Sequence, residues 1–292
     1  MNAVHVPVLL KQVIKFLAPE PGKIYLDATA GEGGYLREIL SSGAKAIGLD
    51  WNRQAIEILK QNFSSAIAAK RLILAVGNFA ELEEILHQLR TEKVDGIVMD
   101  LGLSAFLLKK SGRGFSFQQD EPLIMSYSEE PDLTVYEIVN YYPGLELEKI
   151  FREFGQERLA KKIAQAIVAY RKEKKIQTSK ELAEVIEKAV GRRGRIHPAT
   201  KAFQALRIAA NRELENLAKA LPQAIEALNP KGRLVVVSYH SLEDRMVKQF
   251  FKGLNQKGNF RILTKKPVVP DDQEIRQNPS ARSAKLRAIE KI

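Results

Sequence analysis

The sequence predicts an α/β fold in which a doubly wound, mostly parallel sheet is interrupted by an inserted all-helical domain. In the first hundred residues, short apolar runs that end in an acid or in small residues alternate with helical patterns. Residues 145–228 are almost wholly helical in pattern, and the apolar run 232–240 then resumes the sheet. We therefore expect residues 1–110 and 211–292 to form one discontinuous domain. Residues 111–210 would form the inserted domain, which would recognise a macromolecular substrate.

The first third of the chain supplies most of the predicted strands. They are 24–30, 44–50, 71–79 and 94–102, and helical patterns separate them at 35–43, 52–63 and 81–90. In the helix 52–63, apolar side chains such as Ile56 and Leu59 share one face, and Asn52 is the candidate N-cap. This alternation is what a parallel sheet with crossover helices requires.

The bulk composition limits the class of protein. Apolar residues make up 45% of the 292 residues, which is enough for a sizeable core. The absence of cysteine excludes disulfides and thiolate nucleophiles, and four separated histidines predict no metal site. The N-terminal segment carries Lys11 and Lys15 and has neither a signal-peptide cleavage site nor a membrane span. We expect a cytoplasmic protein with no membrane partner.

The net charge of +11 is concentrated after residue 100. Residues 248–292 hold 11 Lys and Arg against 4 Asp and Glu, whereas residues 1–100 hold 11 against 12. A polyanion such as RNA would therefore bind the later segments, although a solvated basic surface is the alternative interpretation. The candidate RNA-binding residues are Arg192, Arg193, Arg195 and His197 in one loop, and Lys265, Lys266, Arg282 and Lys285 near the C-terminus.

The segment DATAGEGG (27–34) is the strongest local signal for a ligand. Gly31, Gly33 and Gly34 lie at a strand-to-helix turn, where glycines let the backbone approach a ligand closely. NAD, FAD and S-adenosyl-L-methionine are candidate ligands, and a plain tight turn is the alternative. Dinucleotide sites have a third glycine, but Leu36 occupies that position in this chain.

Three further strand ends favour S-adenosyl-L-methionine. Asp50 follows Gly31 by 19 residues and could accept hydrogen bonds from both ribose hydroxyls. Phe79 offers an apolar face for adenine beside the polar Asn78, with a plain core role as the alternative. Asp100 ends the fourth strand and could hold the adenine edge or the methionine end of the cofactor.

Longer motifs run in order through essentially the whole chain. They include HVPVLL (5–10), DATAGEGG (27–34), DGIVMDLGLS (95–104), RGFSF (113–117), PLIM (122–125), HPATKAFQALRIAANREL (197–214), SYHSLEDRMVKQFF (238–251) and SARSAKLR (280–287). In order and spacing they resemble the bacterial 16S ribosomal RNA (cytosine-N4)-methyltransferase family. The resemblance implies a Rossmann-like class I methyltransferase domain with an inserted helical domain. It also implies methyl transfer from S-adenosyl-L-methionine to N4 of one cytidine in the decoding centre of the small ribosomal subunit.

The resemblance also implies roles for individual residues. The positions that match the family's cofactor contacts are Gly33, Gly34, Tyr35, Asp50, Phe79 and Asp100. Asp100 is the candidate catalytic residue, because a carboxylate near the exocyclic amine stabilises its growing positive charge. Cofactor binding or helix capping is the alternative role for Asp100. A target base must leave its stack, and Phe115 or Phe117 could hold it unless both pack in the interior.

Several residues depart from the family's pattern. Tyr35 stands where the family typically has histidine, and Leu107 stands where a glutamine is expected to contact the cofactor. The other departures, from charged to neutral or from acidic to basic, are at Lys109, Ile124, Ser126 and Ser128. They leave two alternatives open, namely a catalytically silent RNA-binding or ribosome-assembly protein and a methyltransferase with a changed RNA substrate. The oligomeric state is also open, with a homodimer as one option.

The segment around His240 contains histidine, serine and acids and so invites a hydrolase interpretation. Adjacent residues rarely form a catalytic triad, and the chain has no G-x-S-x-G elbow. Because His240 ends a strand and Glu243 follows three residues later, helix capping in a loop is the better interpretation.

Overall fold

The computed structural model describes residues 7–104, 107–108, 111–192 and 197–292. Its Cα positions form two compact units, one of residues 1–102 with 214–292 and the other of residues 103–213. Across the described residues, no helix combines the length and the apolar character that crossing a membrane requires.

The first unit is built on a seven-stranded sheet of order β3-β2-β1-β4-β5-β7-β6. The strands are β1 (Ile24–Asp27), β2 (Lys45–Asp50), β3 (Leu72–Val76), β4 (Val94–Asp100), β5 (Leu228–Ser238), β6 (Phe260–Ile262) and β7 (Lys285–Lys291). β1 to β5 pair in parallel, whereas β7 runs antiparallel to both β5 and β6. The predicted α/β fold with a largely parallel sheet is therefore confirmed. The carboxyl ends of β2, β1 and β4, which end in Asp50, Asp27 and Asp100, lie side by side at one edge of the sheet.

The helices of this unit cover the sheet. They are α1 (Leu10–Leu17), α2 (Gly34–Ser41), α3 (Arg53–Asn62), α4 (Ser64–Ala68) and α5 (Leu82–Gln88) before the insertion. Five helices of the second unit, α6 to α10, whose bounds are given below, come next in the chain. The helices that follow them are α11 (Glu213–Glu226), α12 (Ser241–Gln256) and α13 (Asp272–Gln277). Asn52 caps α3 as predicted, because its side-chain oxygen accepts the Gln54 N–H at 2.9 Å.

Two apolar clusters form the core of the first unit. One contains Ile47, Ile97 and Val236, and the other contains Ala46, Val98 and Val235, so neighbouring residues of one strand belong to different clusters. Both faces of the central strands are therefore buried, as expected of a parallel sheet covered by helices. This rigid core fixes the strand ends at which the site is built.

Beyond its entry loop, of which residues 111–134 are described, the described part of the second unit consists of helices and their connections. Its helices are α6 (Val135–Tyr141), α7 (Gly144–Glu153), α8 (Ala160–Glu173), α9 (Ser179–Val190) and α10 (Ala199–Asn211). Thr134 and Glu137 form a capping box at the start of α6, and Thr178 caps α9. Side chains such as Phe151, Ile163 and Leu206 form an apolar core separate from the two of the sheet.

The entry loop of the second unit is held by polar side chains. The Arg113 guanidinium donates to the carbonyls of Ser126, Tyr127 and Ser128 at 3.1, 3.3 and 2.8 Å. From α10, the Asn211 amide donates to the Met125 carbonyl at 2.7 Å and its oxygen accepts the Tyr127 N–H at 2.8 Å. These bonds hold Met125 at a φ of 48°, which is a costly conformation for a side chain of that size.

Candidate functional site at the carboxyl ends of the strands

The turn between β1 and α2 leaves open space at only one of its three predicted glycines. A Cβ on Gly31, whose φ is 49°, would meet only the Thr29 carbonyl, at 3.8 Å. A Cβ on Gly33 would clash with Leu59 and Phe63 at 2.6 Å, and one on Gly34 with Pro7 at 2.0 Å. Gly33 and Gly34 are therefore required by packing within the protein, whereas Gly31 leaves its backbone accessible to a ligand.

The Asp50 carboxylate is held next to this turn by two backbone donors. The Gly31 N–H donates to Oδ2 at 2.8 Å, and the Asn52 N–H donates to Oδ1 at 2.8 Å. Burial raises the pKa of Asp50, and the bonds from Asn52 and Gly31 oppose that rise. Each carboxylate oxygen keeps a lone pair for a further donor. The arrangement suits the binding of paired hydroxyls.

Asp27, at the end of β1, is a fully buried acid that the sequence interpretation treated only as a strand end. Its Oδ1 accepts the Thr29 N–H at 3.2 Å, and its Oδ2 has no hydrogen-bond partner among the described residues. Burial raises the pKa of Asp27 to about 8, and the negative charges of Asp100 and Asp50 add to the rise. Asp27 is therefore largely neutral at pH 7.

Asp100, at the end of β4, is surrounded by hydroxyl groups. Its backbone N–H donates to Thr29 Oγ1 at 2.7 Å. The carboxylate accepts the Tyr35 hydroxyl on Oδ2 at 3.1 Å and the Gly102 N–H on Oδ1 at 3.4 Å. Burial raises the pKa of Asp100 to about 6, against hydrogen bonds from Tyr239 and Tyr35 that lower it. A carboxyl group with this pKa can change its proton state near neutral pH.

Two tyrosines, Tyr35 and Tyr239, form hydrogen bonds with Asp100, and only the first was predicted as a site residue. Tyr35 was predicted to contact the cofactor, but its side chain is 3% exposed and its hydroxyl lies 2.6 Å from the Val8 carbonyl. Tyr239 follows β5 and was not predicted. Its ring packs on Gly102, where a Cβ would lie 2.5 Å from the ring. No sequence pattern predicts that Tyr239 belongs to the site, because its partner Asp100 lies far away in the chain.

Phe79 and Asn78 follow β3 at the same edge of the sheet. Asn78 caps a short 3-10 turn by accepting the Ala80 N–H at 3.0 Å. Phe79 is partly buried and packs against the apolar cluster that contains Ile47. Both the predicted adenine contact and the alternative core role are compatible with this partial exposure.

Apart from Tyr35, the departures from the family pattern lie in the second unit. Leu107 is 7% exposed and belongs to the apolar core, so it offers no polar group to a cofactor. Ser126 is buried, its hydroxyl accepts the Ser128 N–H at 3.1 Å, and Ile124 is half-buried. Lys109 lies outside the described residues.

The aromatic residues predicted to hold a base pack within the second unit. Phe115 is buried and stacks on Tyr127 with 5.7 Å between ring centroids. Phe117 stacks on His197 at 4.6 Å and meets the edge of Phe203 at 5.0 Å. Phe115 is therefore packed in the interior, whereas Phe117 is half-buried beside its aromatic neighbours.

The predicted RNA-binding loop is described only at its two ends. Arg192 is exposed, with its Nε 4.0 Å from Glu187 Oε1. His197 is half-buried, accepts the Ala199 N–H on Nδ1 at 3.2 Å and lies 3.4 Å from Glu187 through Nε2. Its contacts stabilise the start of α10. Arg193 and Arg195 lie outside the described residues.

The C-terminal basic residues differ in their pairing. Lys265, Lys266 and Arg282 are exposed. Lys285 lies 3.5 Å from Asp244, which also accepts the Arg287 Nε–H at 2.7 Å. The first three therefore present their charge to solvent, whereas Lys285 belongs to an ion-pair cluster.

The helix-capping interpretation of the His240 segment is confirmed. The His240 side chain accepts the Glu243 N–H at 3.3 Å at the start of α12. In return the Glu243 carboxylate accepts the backbone N–H groups of His240 at 3.4 Å and Tyr239 at 2.9 Å. This capping box fixes the segment that carries Tyr239.

Comparison with known proteins identifies the family. The family model described as "MraW methylase family" matches residues 2–292. This chain belongs to the MraW methylase family. The resemblance inferred from the sequence motifs is therefore confirmed, and it covers nearly the whole chain.

Curated relatives agree with this assignment to the MraW methylase family. The chain is 47% identical to "Ribosomal RNA small subunit methyltransferase H" of Coprothermobacter proteolyticus, covering 98% of this chain and 96% of the relative. It is 42% identical to the protein of the same name from Sulfurihydrogenibium sp., covering 99% of each.

Two solved structures share the fold at a TM-score of 0.50. A protein described as an rRNA-methylase from Clostridium thermocellum is 16% identical, with 99% of this chain and 100% of that chain covered. A protein described as a methyltransferase from Streptococcus mutans, in complex with SAH, is 15% identical with the same coverage. At these identities the likeness concerns the fold alone.

Proposed function

We propose that this protein is an S-adenosyl-L-methionine-dependent methyltransferase that modifies N4 of a cytidine in 16S ribosomal RNA of the small subunit. The observation that carries the proposal is the turn at Gly31, which has open space around it and donates a hydrogen bond to Asp50. This turn follows β1, which lies next to β4 and its terminal Asp100. Membership of a methylase family and relatives named as small-subunit ribosomal RNA methyltransferases support it.

The residues at these strand ends fit S-adenosyl-L-methionine. Gly31 would admit the cofactor, because space is open on the face where other residues carry a Cβ. Asp50 would accept the two ribose hydroxyls, and Phe79 would lie against the adenine. Asp27, which is largely neutral at pH 7 and has an unpartnered buried oxygen, adds little negative charge to that of Asp50 and Asp100. S-adenosyl-L-methionine would supply an electrophilic methyl group.

The protein's own groups would act on the cytosine amine. The N4 lone pair is delocalised into the ring, so the amine must be oriented and must lose a proton as it reacts. Asp100 would receive that proton, since its carboxyl group titrates close to neutral pH. The Gly102 N–H and the hydroxyls of Tyr35 and Tyr239 hold the carboxyl group in place.

The RNA would be bound chiefly through phosphate contacts to the basic segments. Lys265, Lys266 and Arg282 are exposed and therefore available. Arg192 of the second unit is also exposed and would contact phosphates, with Arg193 and Arg195 close by in the sequence. Contacts of this kind fix the position of the RNA without reading its sequence. We infer that the second unit, residues 103–213, recognises the substrate.

The test is methyl transfer from labelled S-adenosyl-L-methionine to small ribosomal subunits purified from a strain that lacks this modification. We expect N4-methylcytidine in the decoding centre, mapped by mass spectrometry of RNA fragments. A parallel calorimetric titration with the cofactor separates the alternatives. Cofactor binding without transfer would indicate a changed RNA substrate. Loss of both would indicate a silent RNA-binding protein of the same fold.

A further inference from the structure

The hydroxyl of Tyr35 lies between two acceptors but carries a single proton. It is 2.6 Å from the Val8 carbonyl oxygen and 3.1 Å from Asp100 Oδ2. Since Tyr35 is 3% exposed, water has little access to satisfy whichever acceptor loses the bond. The state of the Asp100 carboxyl group therefore decides what the Tyr35 hydroxyl does.

Two hydrogen-bond arrangements satisfy this geometry. When Asp100 is ionised, the Tyr35 O–H can donate to Oδ2, and the Val8 carbonyl then loses its hydrogen bond from Tyr35. When Asp100 carries a proton, the Tyr35 O–H can donate to Val8, and its oxygen can accept the new O–H of Asp100. Rotation of one hydroxyl about its C–O bond interconverts them without movement of heavy atoms.

We propose that Tyr35 is a positioning residue whose rotating hydroxyl lets Asp100 take up the proton that leaves the cytosine amine. The proposal rests on the proposed function. In the step, the N–H bond breaks with its electron pair left on nitrogen, and a new O–H bond forms on the Asp100 carboxylate. The proton then passes from Asp100 to solvent, since Asp100 is only partly buried.

The remaining charged groups around Asp100 have identified places in the first unit. Asp27 lies on the neighbouring strand β1 and is largely neutral at pH 7, with Asp50 beyond it on β2. Tyr239 faces Asp100 from the end of β5, and Glu243 on α12 contributes a negative charge. The negative charge of Glu274 on α13 acts on Tyr239. In this arrangement the Tyr35 hydroxyl can donate its proton either to the Val8 carbonyl or to the Asp100 carboxylate.

The surrounding structure holds Tyr35 in this position. Its ring lies in the apolar cluster that also contains Val8 and Leu9. The Leu9 N–H donates to Glu274 Oε1 at 2.5 Å, and Leu9 adopts a φ of 55°. Because the backbone of Val8 and Leu9 is fixed in this way, the Val8 carbonyl stays within reach of the Tyr35 hydroxyl. Tyr35 replaces the histidine that the family resemblance predicts, so the device belongs to this chain's own sequence.

The experiment is a titration of the Asp100 carboxyl carbon by NMR in protein labelled with ¹³Cγ-aspartate. The signal is identified by its loss in Asp100→Asn. In Tyr35→Phe, which keeps the ring, we expect the Asp100 pKa to rise by about one unit, because the carboxylate loses a hydrogen bond. The matched control is Tyr25→Phe. The Tyr25 hydroxyl accepts the Glu20 N–H at 3.1 Å and donates to Ala18 at 3.3 Å, and its loss should leave the Asp100 pKa unchanged.

A second titration needs no substitution at Tyr35. In wild-type protein labelled at tyrosine ¹³Cζ, the Tyr35 signal should shift with the midpoint of Asp100, whereas the Tyr25 signal should not. A Tyr35 signal that ignores the Asp100 midpoint, or an Asp100 pKa that stays or falls in Tyr35→Phe, would overturn the proposal. Both titrations are independent of methyl transfer. A protein that gives the expected shifts but modifies no ribosomal RNA would refute the proposed function and leave the hydroxyl rotation standing.

Discussion

Asp50 and Asp100 end strands on either side of β1, but different groups hold them. Asp50 accepts two backbone N–H groups, from Gly31 and Asn52, which belong to the turns next to it. Asp100 accepts the hydroxyls of Tyr35 and Tyr239 besides the Gly102 N–H. Backbone donors cannot reverse, so they suit a fixed charge that binds hydroxyls. Hydroxyls can donate or accept, so they suit a carboxyl group that changes its proton state.

Asp100→Asn is expected to have the largest effect, because it removes the carboxylate that would accept the proton. We expect methyl transfer to fall by about a hundred- to ten-thousand-fold, because the amide cannot accept a proton, while cofactor affinity falls far less. Single-turnover transfer and calorimetry measure the two quantities. If the rate and the affinity fell together by the same factor, Asp100 would be a second cofactor-binding group and the comparison would fail.

Asp27 ends β1, between the strands that carry Asp50 and Asp100. Its pKa, raised to about 8, implies that the folded protein holds a proton there that the unfolded chain has lost above pH 4. The stability contributed by this acid is therefore complete below pH 4 and is lost as the pH rises towards 8. Between pH 5 and pH 8 the free energy of unfolding of the wild type should fall by an amount on the order of a few kcal/mol because of this acid. Asp27→Asn should not show this fall.

Urea unfolding at several pH values measures this effect. The variant should be the more stable protein at pH 8 and should match the wild type near pH 4. If wild type and variant lost stability in parallel as the pH rose, the titrating group would lie elsewhere.

Gly102→Ala tests the packing that brings Tyr239 to Asp100. The new Cβ would lie 2.5 Å from the Tyr239 ring, so the ring or the backbone must move. We expect a loss of about 1–3 kcal/mol in the free energy of unfolding and a further loss of transfer rate. Gly253→Ala on α12 is the control, because a Cβ there has no described atom within 4 Å and alanine favours helices. Equal effects of the two substitutions would show that Tyr239 is not restrained by Gly102.

The smallest effect is expected away from the acids, at the basic surface. Replacing Lys265 and Lys266 together by alanine should make the log–log salt dependence of RNA binding shallower by about 1.5. Lys60→Ala is a control, since Lys60 is paired with Glu57 at 2.8 Å on α3. A salt dependence identical to that of the wild type would place the RNA elsewhere.

The two acids also show what the sequence can predict. The strand that ends in Asp50 and the cap at Asn52 follow from local patterns, and the structure contains both. The packing roles of Gly33 and Gly34 could not be predicted, because their neighbours Leu59, Phe63 and Pro7 lie on other elements. The surroundings of Asp100 depend on contacts between distant segments, with Tyr35 65 residues away. No local pattern carries such information.

The division of roles between Asp50 and Asp100 is tested most directly by one paired measurement. The single-turnover rate of methyl transfer to small ribosomal subunits would be followed in Asp50→Asn and Asp100→Asn as the cofactor is raised to saturation. We expect Asp50→Asn to bind the cofactor about ten- to a hundredfold more weakly and to recover most of the wild-type rate at saturation. Asp100→Asn should stay slow at every cofactor concentration. Recovery of Asp100→Asn at saturation, or persistent slowness of Asp50→Asn, would contradict the account.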